Sequence, residues 1–216
     1  MLYLFHGEEE YLRSEEVARF KARMAQEGMG DLNTVTLDGR KLTFDELAAA
    51  CNTLPFLTDR RLVIVENLFQ RPDMARSRGR KATADAGDEG ENDDGGGAAS
   101  TFGASGTTGD FVSRLLDLIP NMPPSTRLLF VESKTLPRNH PILRLADTME
   151  DGYVREFSVP ESGNLSNWVR RRAKEKGVEI DPRAVTMLVT YVGQDLRALD
   201  QELEKLAAYT DYTGTI

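Results

Sequence analysis

The chain has 216 residues, of which 40% are hydrophobic and 29% charged, and its formal net charge is −8. This composition is ordinary for a globular protein, and the length suffices for one large domain or two smaller ones. The negative charge argues against strong independent binding to DNA or to an anionic membrane, because such binding depends on clustered Lys and Arg. A single cysteine excludes an internal disulfide and fits a reducing cytosol.

The N-terminal part of the chain predicts a strand, a helix and a second strand. Residues 2–5 are an apolar run that meets Glu8 too early to be a signal peptide or a membrane span, so we predict a buried strand. Residues 9–27 have a helical pattern, and the β-branched residues at 34–37 predict the second strand. The inner face of the helix is expected to consist of Leu12, Val17, Phe20 and Met24.

A capping box begins the next predicted helix. Thr43 and Glu46 have the spacing at which each side chain satisfies a free backbone N–H at a helix start. Apolar residues then recur at i, i+3, i+4 and i+7 and define one helical face, which consists of Phe44, Leu47, Ala48 and Cys51. On this face we interpret Cys51 as a small core residue rather than a nucleophile.

Residues 54–57 form an apolar turn between this helix and the next strand. Pro55 cannot continue the helix, because it lacks an N–H and clashes with the preceding turn. Phe56 and Leu57 therefore fall on a turn, ahead of an apolar run at residues 62–65 that predicts a third strand. Two adjacent exposed apolar residues indicate a binding surface, whereas the alternative is that they fold back over the core. The periodicity leaves both interpretations open.

The composition changes after Leu68. No Leu, Ile or Val occurs between Leu68 and Val112, and nine of the 18 glycines fall between Gly79 and Gly109. A stretch with so little apolar surface cannot offset the entropy lost on ordering, so we predict a disordered insertion over residues 71–109.

The alternation of helices and strands resumes after the insertion. Residues 111–119 predict an amphipathic helix, residues 127–132 a fourth strand and residues 153–157 a fifth. Strands that alternate with helices of this length predict βαβ units and an α/β fold with a parallel five-stranded sheet. We assign residues 1–159 to this domain.

Residues 160–216 predict a small second domain of three helices. Asp181 and Pro182 are typical of the start of the second helix, and Gly193 separates it from the third. Nothing in the pattern explains why a domain should end at Ile216, so we expect the chain to be part of a longer protein.

An α/β domain followed by a small helical domain is the layout of an AAA+ ATPase. Its phosphate loop follows the first strand as G-x-x-x-x-G-K-[ST], and residues 7–14 occupy that position here. Gly7, Arg13 and Ser14 keep the spacing of the motif, but Leu12 replaces the second glycine. Three carboxylates would face the phosphates, namely Glu8, Glu9 and Glu10. Their repulsion of a triphosphate, roughly 1–4 kcal/mol per close pair, disfavours nucleotide binding.

The magnesium-binding motif at the end of the third strand is also changed. An Asp-Glu pair would hold the metal and polarise water, but the chain has Glu66 and Asn67. We therefore expect no ATP hydrolysis, no cofactor and no metal site. The only two histidines, His6 and His140, are expected at a strand end and in a loop.

A basic stretch lies on the first helix of the second domain and consists of Arg170, Arg171, Arg172, Lys174 and Lys176. Charged residues on an amphipathic helix normally face water. A solvated helix face is therefore the favoured interpretation, with a DNA contact as the alternative.

Three blocks of the sequence resemble the delta-subunit family of the bacterial DNA polymerase III clamp loader. They are residues 3–12, residues 54–65 and residues 193–206, which occur in the order and at the spacing of the family. The resemblance covers nearly all of the chain outside the insertion. It implies an AAA+-type fold, a role in DNA replication, and a subunit that binds the sliding clamp and helps to open the ring without hydrolysing ATP.

The resemblance also implies the site and the partners. The hydrophobic clamp contact falls on Phe56 and Leu57. Leu54 and Pro55 shape the turn. The implied partners are the sliding clamp (the beta subunit), other clamp-loader subunits and, weakly or indirectly, primed DNA, in the bacterial cytoplasm and not at a membrane. DNA polymerase activity would belong to the holoenzyme, so the chain alone is not expected to be an enzyme.

The chain departs from the family in two ways, and two alternatives stay open. The departures are the Gly- and Asp-rich insertion and the absence of the C-terminal collar domain, through which family members join the pentameric loader. One alternative is an atypical P-loop NTPase that uses Arg13 and Ser14 for phosphate and Glu66 for the metal. The other is an AAA+-derived scaffold that contacts only other loader subunits.

Overall fold

The structure, a computed structural model, describes residues 1–26, 32–71, 108–160 and 162–216. The predicted insertion at residues 71–109 lies outside the described residues except at its two ends. Among the described residues, no helix combines the length and the apolar character needed to cross a membrane.

The chain forms two compact units. The first consists of Met1–His6 and Lys21–Arg155, and the second consists of Gly7–Phe20 and Glu156–Ile216. Residues 7–20, which follow the first strand, thus belong to the same unit as the C-terminal helices. The boundary between an α/β domain and a helical domain that the sequence analysis predicts between residues 159 and 160 stays a prediction.

The first unit contains a five-stranded sheet. Its strands are β1 (Leu2–His6), β2 (Thr34–Asp38), β3 (Arg61–Glu66), β4 (Thr126–Glu132) and β5 (Gly152–Glu156). The strand order is β2-β3-β4-β1-β5, and the β1–β4, β3–β4 and β2–β3 pairs are parallel. The predicted α/β fold with a parallel five-stranded sheet is therefore confirmed, and His6 is the last residue of β1 as predicted.

Both faces of the sheet are covered at its centre. Residues 62–65 of β3 are all fully buried, and successive side chains of a strand point to opposite faces. The helices of this unit are α2 (Phe44–Asn52), α3 (Thr108–Leu118), α4 (Pro141–Thr148) and the C-terminal part of α1 (Glu10–Gln26). The predicted capping box forms at the start of α2, where the Thr43 N–H donates to the Glu46 carboxylate at 2.9 Å.

Helix α4 is an element for which the sequence analysis made no prediction. Its N-cap is His140, whose Nδ1 accepts a hydrogen bond from the Ile142 N–H at 3.3 Å. Pro141 occupies the first turn, where a missing N–H costs nothing and the fixed φ suits a helix. Ile142 and Ala146 are buried on its inner face. His140, which was predicted in a loop, is therefore the N-cap of a helix.

The second unit contains the three predicted helices, which are α5 (Ser162–Glu175), α6 (Pro182–Val192) and α7 (Leu196–Tyr209). Asp181 caps α6, because its carboxylate accepts a hydrogen bond from the Arg183 N–H at 2.7 Å. The start of α1 belongs to this unit, and the Tyr11 ring packs edge-on against Trp168 with the ring centroids 6.4 Å apart. The buried residues of the helices include Leu165, Val169, Val185, Leu199 and Leu203.

Candidate functional site

The apolar turn lies between α2 and β3, and its side chains face solvent. Leu54, Phe56 and Leu57 have exposed fractions of 74%, 57% and 76%. Of the two interpretations that the periodicity leaves open, packing of Phe56 and Leu57 over the core is therefore excluded. Exposed apolar side chains are normally scattered singly, so this cluster is the candidate binding surface. We call it the 54–58 turn.

Side chains from β3 and β4 hold the end of α2 in place. The backbone carbonyl of Cys51 accepts a hydrogen bond from the Thr126 hydroxyl at 2.7 Å, and that of Ala50 accepts one from Arg61 Nε at 3.1 Å. The last four carbonyls of a helix have no intrahelical partner, and these bonds satisfy two of them. Burial raises the pKa of the Cys51 thiol to about 12, so the thiol stays protonated. The predicted core role of Cys51 is confirmed.

Asn33, which the sequence analysis did not identify, bonds with the backbone of the turn. It directly precedes β2, and its Oδ1 accepts a hydrogen bond from the Phe56 N–H at 2.6 Å. Its Nδ2 donates to the Phe56 carbonyl at 2.8 Å and to the Thr58 hydroxyl at 3.0 Å. Leu57 has a φ of 55°, in the left-handed region. No sequence pattern signals this contact, because Asn33 and Phe56 lie 23 positions apart.

At the position of the phosphate loop, the backbone of Gly7 and Glu9 contacts the backbone of Phe157. Gly7 has a φ of 131°, and a Cβ on this residue would lie 2.2 Å from the carbonyl oxygen of Phe157. The same carbonyl accepts a hydrogen bond from the Glu9 N–H at 3.0 Å. A glycine is therefore required at position 7 by the approach of Phe157 as well as by the backbone torsion.

The remaining residues of the phosphate-loop motif also have partners in the second unit. The guanidinium of Arg13 is buried and donates to the Gly7 carbonyl. The Ser14 hydroxyl donates to the Tyr11 carbonyl at 2.9 Å. Leu12, at the position of the second glycine, packs against the apolar core of the helices. Arg13 and Leu12 thus take part in the packing of α1, and Ser14 bonds within the helix.

The three carboxylates of the loop have different surroundings. Glu9 is buried, and its carboxylate accepts a hydrogen bond from the Tyr11 N–H at 3.0 Å in the first turn of α1. Glu8 and Glu10 are exposed, and Glu10 forms an ion pair with Arg197 at 2.7 Å. Negative groups at a helix N-terminus interact favourably with the helix dipole, so these acids stabilise the start of α1.

At the end of β3, Asn67 is a turn residue. Its φ is 57°, a left-handed conformation that Asn adopts more readily than most residues. Its Oδ1 accepts hydrogen bonds from the Ser133 hydroxyl at 2.8 Å and from Gln70 Nε2 at 2.9 Å. The preceding Glu66 is partly buried. The described residues hold no group of three His, Cys, Asp or Glu side chains placed to bind a metal ion.

The basic stretch of α5 is partly neutralised by ion pairs within the second unit. Arg172 pairs with Asp200 at 2.5 Å and with Glu15 at 2.8 Å. Lys176 pairs with Asp200 at 3.0 Å and with Glu204 at 2.6 Å. The interpretation as a solvated face is wrong for Arg172 and Lys176, whose side chains are only 14% exposed. It holds for the exposed remainder of the stretch, Arg170, Arg171 and Lys174.

Comparison with known proteins identifies relatives in sequence and in structure. A family model described as DNA polymerase III, delta subunit, matches residues 3–83. The DNA polymerase III subunit delta of Bacillus subtilis (strain 168) is 35% identical over 68 residues, which cover 32% of this chain and 20% of that protein. The solved structure of the Bacillus subtilis DNA clamp loader delta protein matches with a TM-score of 0.68 and 21% sequence identity.

The structural match extends over the whole chain, whereas the sequence matches are confined to parts of it. It covers 100% of this chain and 55% of the solved protein, so the chain spans about half of that relative. The 3–83 segment contains both the altered phosphate loop and the 54–58 turn. The predicted resemblance to the delta-subunit family of the DNA polymerase III clamp loader is therefore confirmed, in sequence over residues 3–83 and in fold over the chain.

Proposed function

We propose that this chain is the clamp-binding part of a DNA polymerase III delta subunit and that it acts without hydrolysing ATP. The observation that carries the proposal is the exposure of Phe56 and Leu57, side by side on one turn. Both residues lie within the segment 3–83 that matches the family. An exposed apolar pair lowers solubility unless a partner covers it, and the sliding clamp is the partner that the resemblance implies.

The proposed contact is an apolar anchor that enters a hydrophobic cleft of the clamp. Phe56 and Leu57 follow the end of α2, an arrangement similar to helix-in-groove recognition. The hydrogen bonds that hold the end of α2 and the turn fix the backbone before binding. Less conformational entropy is then lost on association, which favours the complex.

Ring opening places a further requirement on the contact. The chain must bind the open clamp more tightly than the closed clamp, because a ligand with equal affinity for two states shifts neither. In this proposal the 54–58 turn provides the affinity, and the preference for the open ring comes from contacts made by the remainder of the subunit.

Contacts at the altered phosphate loop support the proposal that the chain does not hydrolyse ATP. A working phosphate loop directs free backbone N–H groups at the nucleotide. Here the Glu9 N–H donates to Phe157, and the guanidinium of Arg13 donates to the Gly7 carbonyl. The atypical NTPase would need Arg13 to exchange this buried bond for a phosphate contact, next to three carboxylates. ATP would then act on other subunits of the loader.

We also propose assembly with other clamp-loader subunits in the bacterial cytoplasm. Contact with primed DNA is proposed to be weak or indirect. The net charge of −8 disfavours contact with phosphates, and Arg172 and Lys176 already form ion pairs with acidic side chains. The alternative scaffold, which contacts only loader subunits, would leave Phe56 and Leu57 without a role.

The proposal is tested by combining Phe56→Ala with Leu57→Ala and titrating the chain with the sliding clamp of the same bacterium. Truncation of two anchor residues should cost about 2–4 kcal/mol of binding free energy, or roughly 30-fold or more in Kd. Tyr191→Ala is the control, because it removes an aromatic side chain that is even more exposed, at 81%, from α6 and should leave Kd unchanged. An unchanged Kd in the double variant would favour the scaffold alternative.

A further inference from the structure

The side chain of Asn33 is almost completely buried, yet it bonds with the exposed 54–58 turn. It is 2% exposed, whereas Leu57 is 76% exposed. Its amide bonds with both backbone polar groups of Phe56, through Oδ1 at 2.6 Å and Nδ2 at 2.8 Å. An amide group matches the donor and acceptor of one residue in this way only when oxygen faces the N–H and nitrogen faces the carbonyl. The contact thus defines the orientation of the Phe56 backbone.

Asn33 is itself fixed to the sheet. Its backbone carbonyl accepts a hydrogen bond from the Leu62 N–H at 2.8 Å, at the start of the pairing between β2 and β3. A second bond from Nδ2 reaches the Thr58 hydroxyl, which in turn donates to the Arg60 carbonyl at 3.0 Å. The turn is therefore connected to the centre of the fold at Phe56 and again at Thr58.

The 54–58 turn depends on these hydrogen bonds, because its side chains do not pack into the core and cannot fix the backbone in that way. Phe56 and Leu57 are exposed, and the φ of 55° at Leu57 is a conformation that a leucine rarely adopts without support. Without the bonds from Asn33, the backbone of the turn would populate other conformations, and the two side chains would no longer project together.

We propose that Asn33 is a positioning residue that presents Phe56 and Leu57 to the partner. This inference rests on the proposed function. Asn33 does not touch the clamp in this proposal, because its side chain is buried beneath the turn. It acts by fixing the backbone of the turn before the clamp binds, which reduces the entropy lost on association.

The test compares Asn33→Ala with the parent chain in two measurements. The first is hydrogen exchange of the Phe56 amide, which should become about tenfold faster or more, because the loss of one buried hydrogen bond is of that size. The second is the Kd for the sliding clamp, which should rise by about tenfold. Ile142→Val, a mildly destabilising core change in α4, is the control and should alter neither value.

A double-mutant cycle separates positioning from a general loss of stability. In the background of Phe56→Ala and Leu57→Ala, the change at Asn33 should cause no further loss of affinity, because the positioned side chains are already absent. Asn33→Asp retains the shape of the side chain but removes both Nδ2 donors, and it should raise Kd about threefold or more in the parent background only. This variant carries the test if Asn33→Ala does not fold.

Two results would overturn the inference. One is an unchanged exchange rate of the Phe56 amide in Asn33→Ala, and the other is an affinity loss of the same size with and without the Phe56 and Leu57 side chains. A parent chain that does not bind the clamp would contradict the proposed function instead. In that case the exchange rate would still decide whether Asn33 holds the turn.

Discussion

Gly7 occupies the position of the first glycine of a phosphate loop, and a side chain on this residue would meet the backbone of Phe157. The φ of 131° is rare for residues with a side chain, and a Cβ would approach the Phe157 carbonyl oxygen to 2.2 Å. Both constraints require glycine for a reason that involves no nucleotide. The packing of the loop therefore explains the glycine at position 7.

Gly7→Ala tests this explanation. The substitution combines backbone strain with a clash against a carbonyl group, so it should lower the free energy of unfolding by roughly 3 kcal/mol or more, as measured by urea denaturation. Gly177→Ala is the matched control. Gly177 also has a positive φ, of 83°, but a Cβ there would meet nothing within 4 Å. Equal losses in the two variants would show that the approach of Phe157 contributes nothing.

The candidate site could be predicted from the sequence only where consecutive residues form the pattern. Pro55, Phe56 and Leu57 are consecutive, so the end of a helix followed by two apolar residues indicates an exposed turn. Asn33 could not be found in this way, because its partner lies 23 positions away and an Asn before a strand is common. The sequence also could not show whether Phe56 and Leu57 face solvent or the core, since both arrangements have the same periodicity.

At the scale of elements, an ion-pair network joins α5 and α7. Arg172 on α5 and Lys176, which directly follows this helix, share the carboxylate of Asp200 on α7. Partial burial alone would raise the pKa of Asp200, but hydrogen bonds from Arg172 and Lys176 hold it below its ordinary value. An acid with a lowered pKa in the folded state stabilises the fold above its ordinary pKa. This contribution is lost as the pH falls through the folded-state pKa.

Asp200→Asn should therefore destabilise the chain in a pH-dependent way. At pH 7 the free energy of unfolding should fall by about 1–2 kcal/mol, a value reduced for the partial exposure of the pair. The difference from the parent should shrink below about pH 4, where an unfolded Asp becomes protonated. Urea denaturation at neutral and acidic pH measures both values. A difference that is the same at each pH would contradict the role of the Asp200 charge. Glu204→Gln is the control: this carboxylate is more exposed, so its loss should lower the free energy of unfolding by less.

Most helices and strands could be predicted from the sequence, but helix α4 was not. The first four strands and the three C-terminal helices have clear apolar runs or helical periodicity, the fifth strand has a weaker pattern, and all are present. Helix α4 has only eight residues and begins at Pro141. A proline predicts the end of a helix, except in the first turn, where it is favoured. The ion pairs of α5 could not be predicted either, because a basic helix face gives no information about which acids from other helices approach it.

At the scale of the whole molecule, charge and surface point to a protein partner. The net charge is −8, and the basic stretch of α5 is partly neutralised by ion pairs. The 54–58 turn, in contrast, exposes three large apolar side chains on a backbone fixed by hydrogen bonds. A surface of this kind suits an apolar cleft better than nucleic acid, and in the proposed function its fixed backbone lets the clamp bind without a nucleotide.

The measurement that tests this account most directly is the Kd of the chain for the sliding clamp, determined with and without magnesium and ATP. We predict the same Kd under both conditions, since the turn is already formed and the phosphate-loop position is occupied by contacts with Phe157. The variant that lacks the Phe56 and Leu57 side chains should bind weakly in both. Binding that requires ATP, or binding that survives the loss of both side chains, would contradict the account.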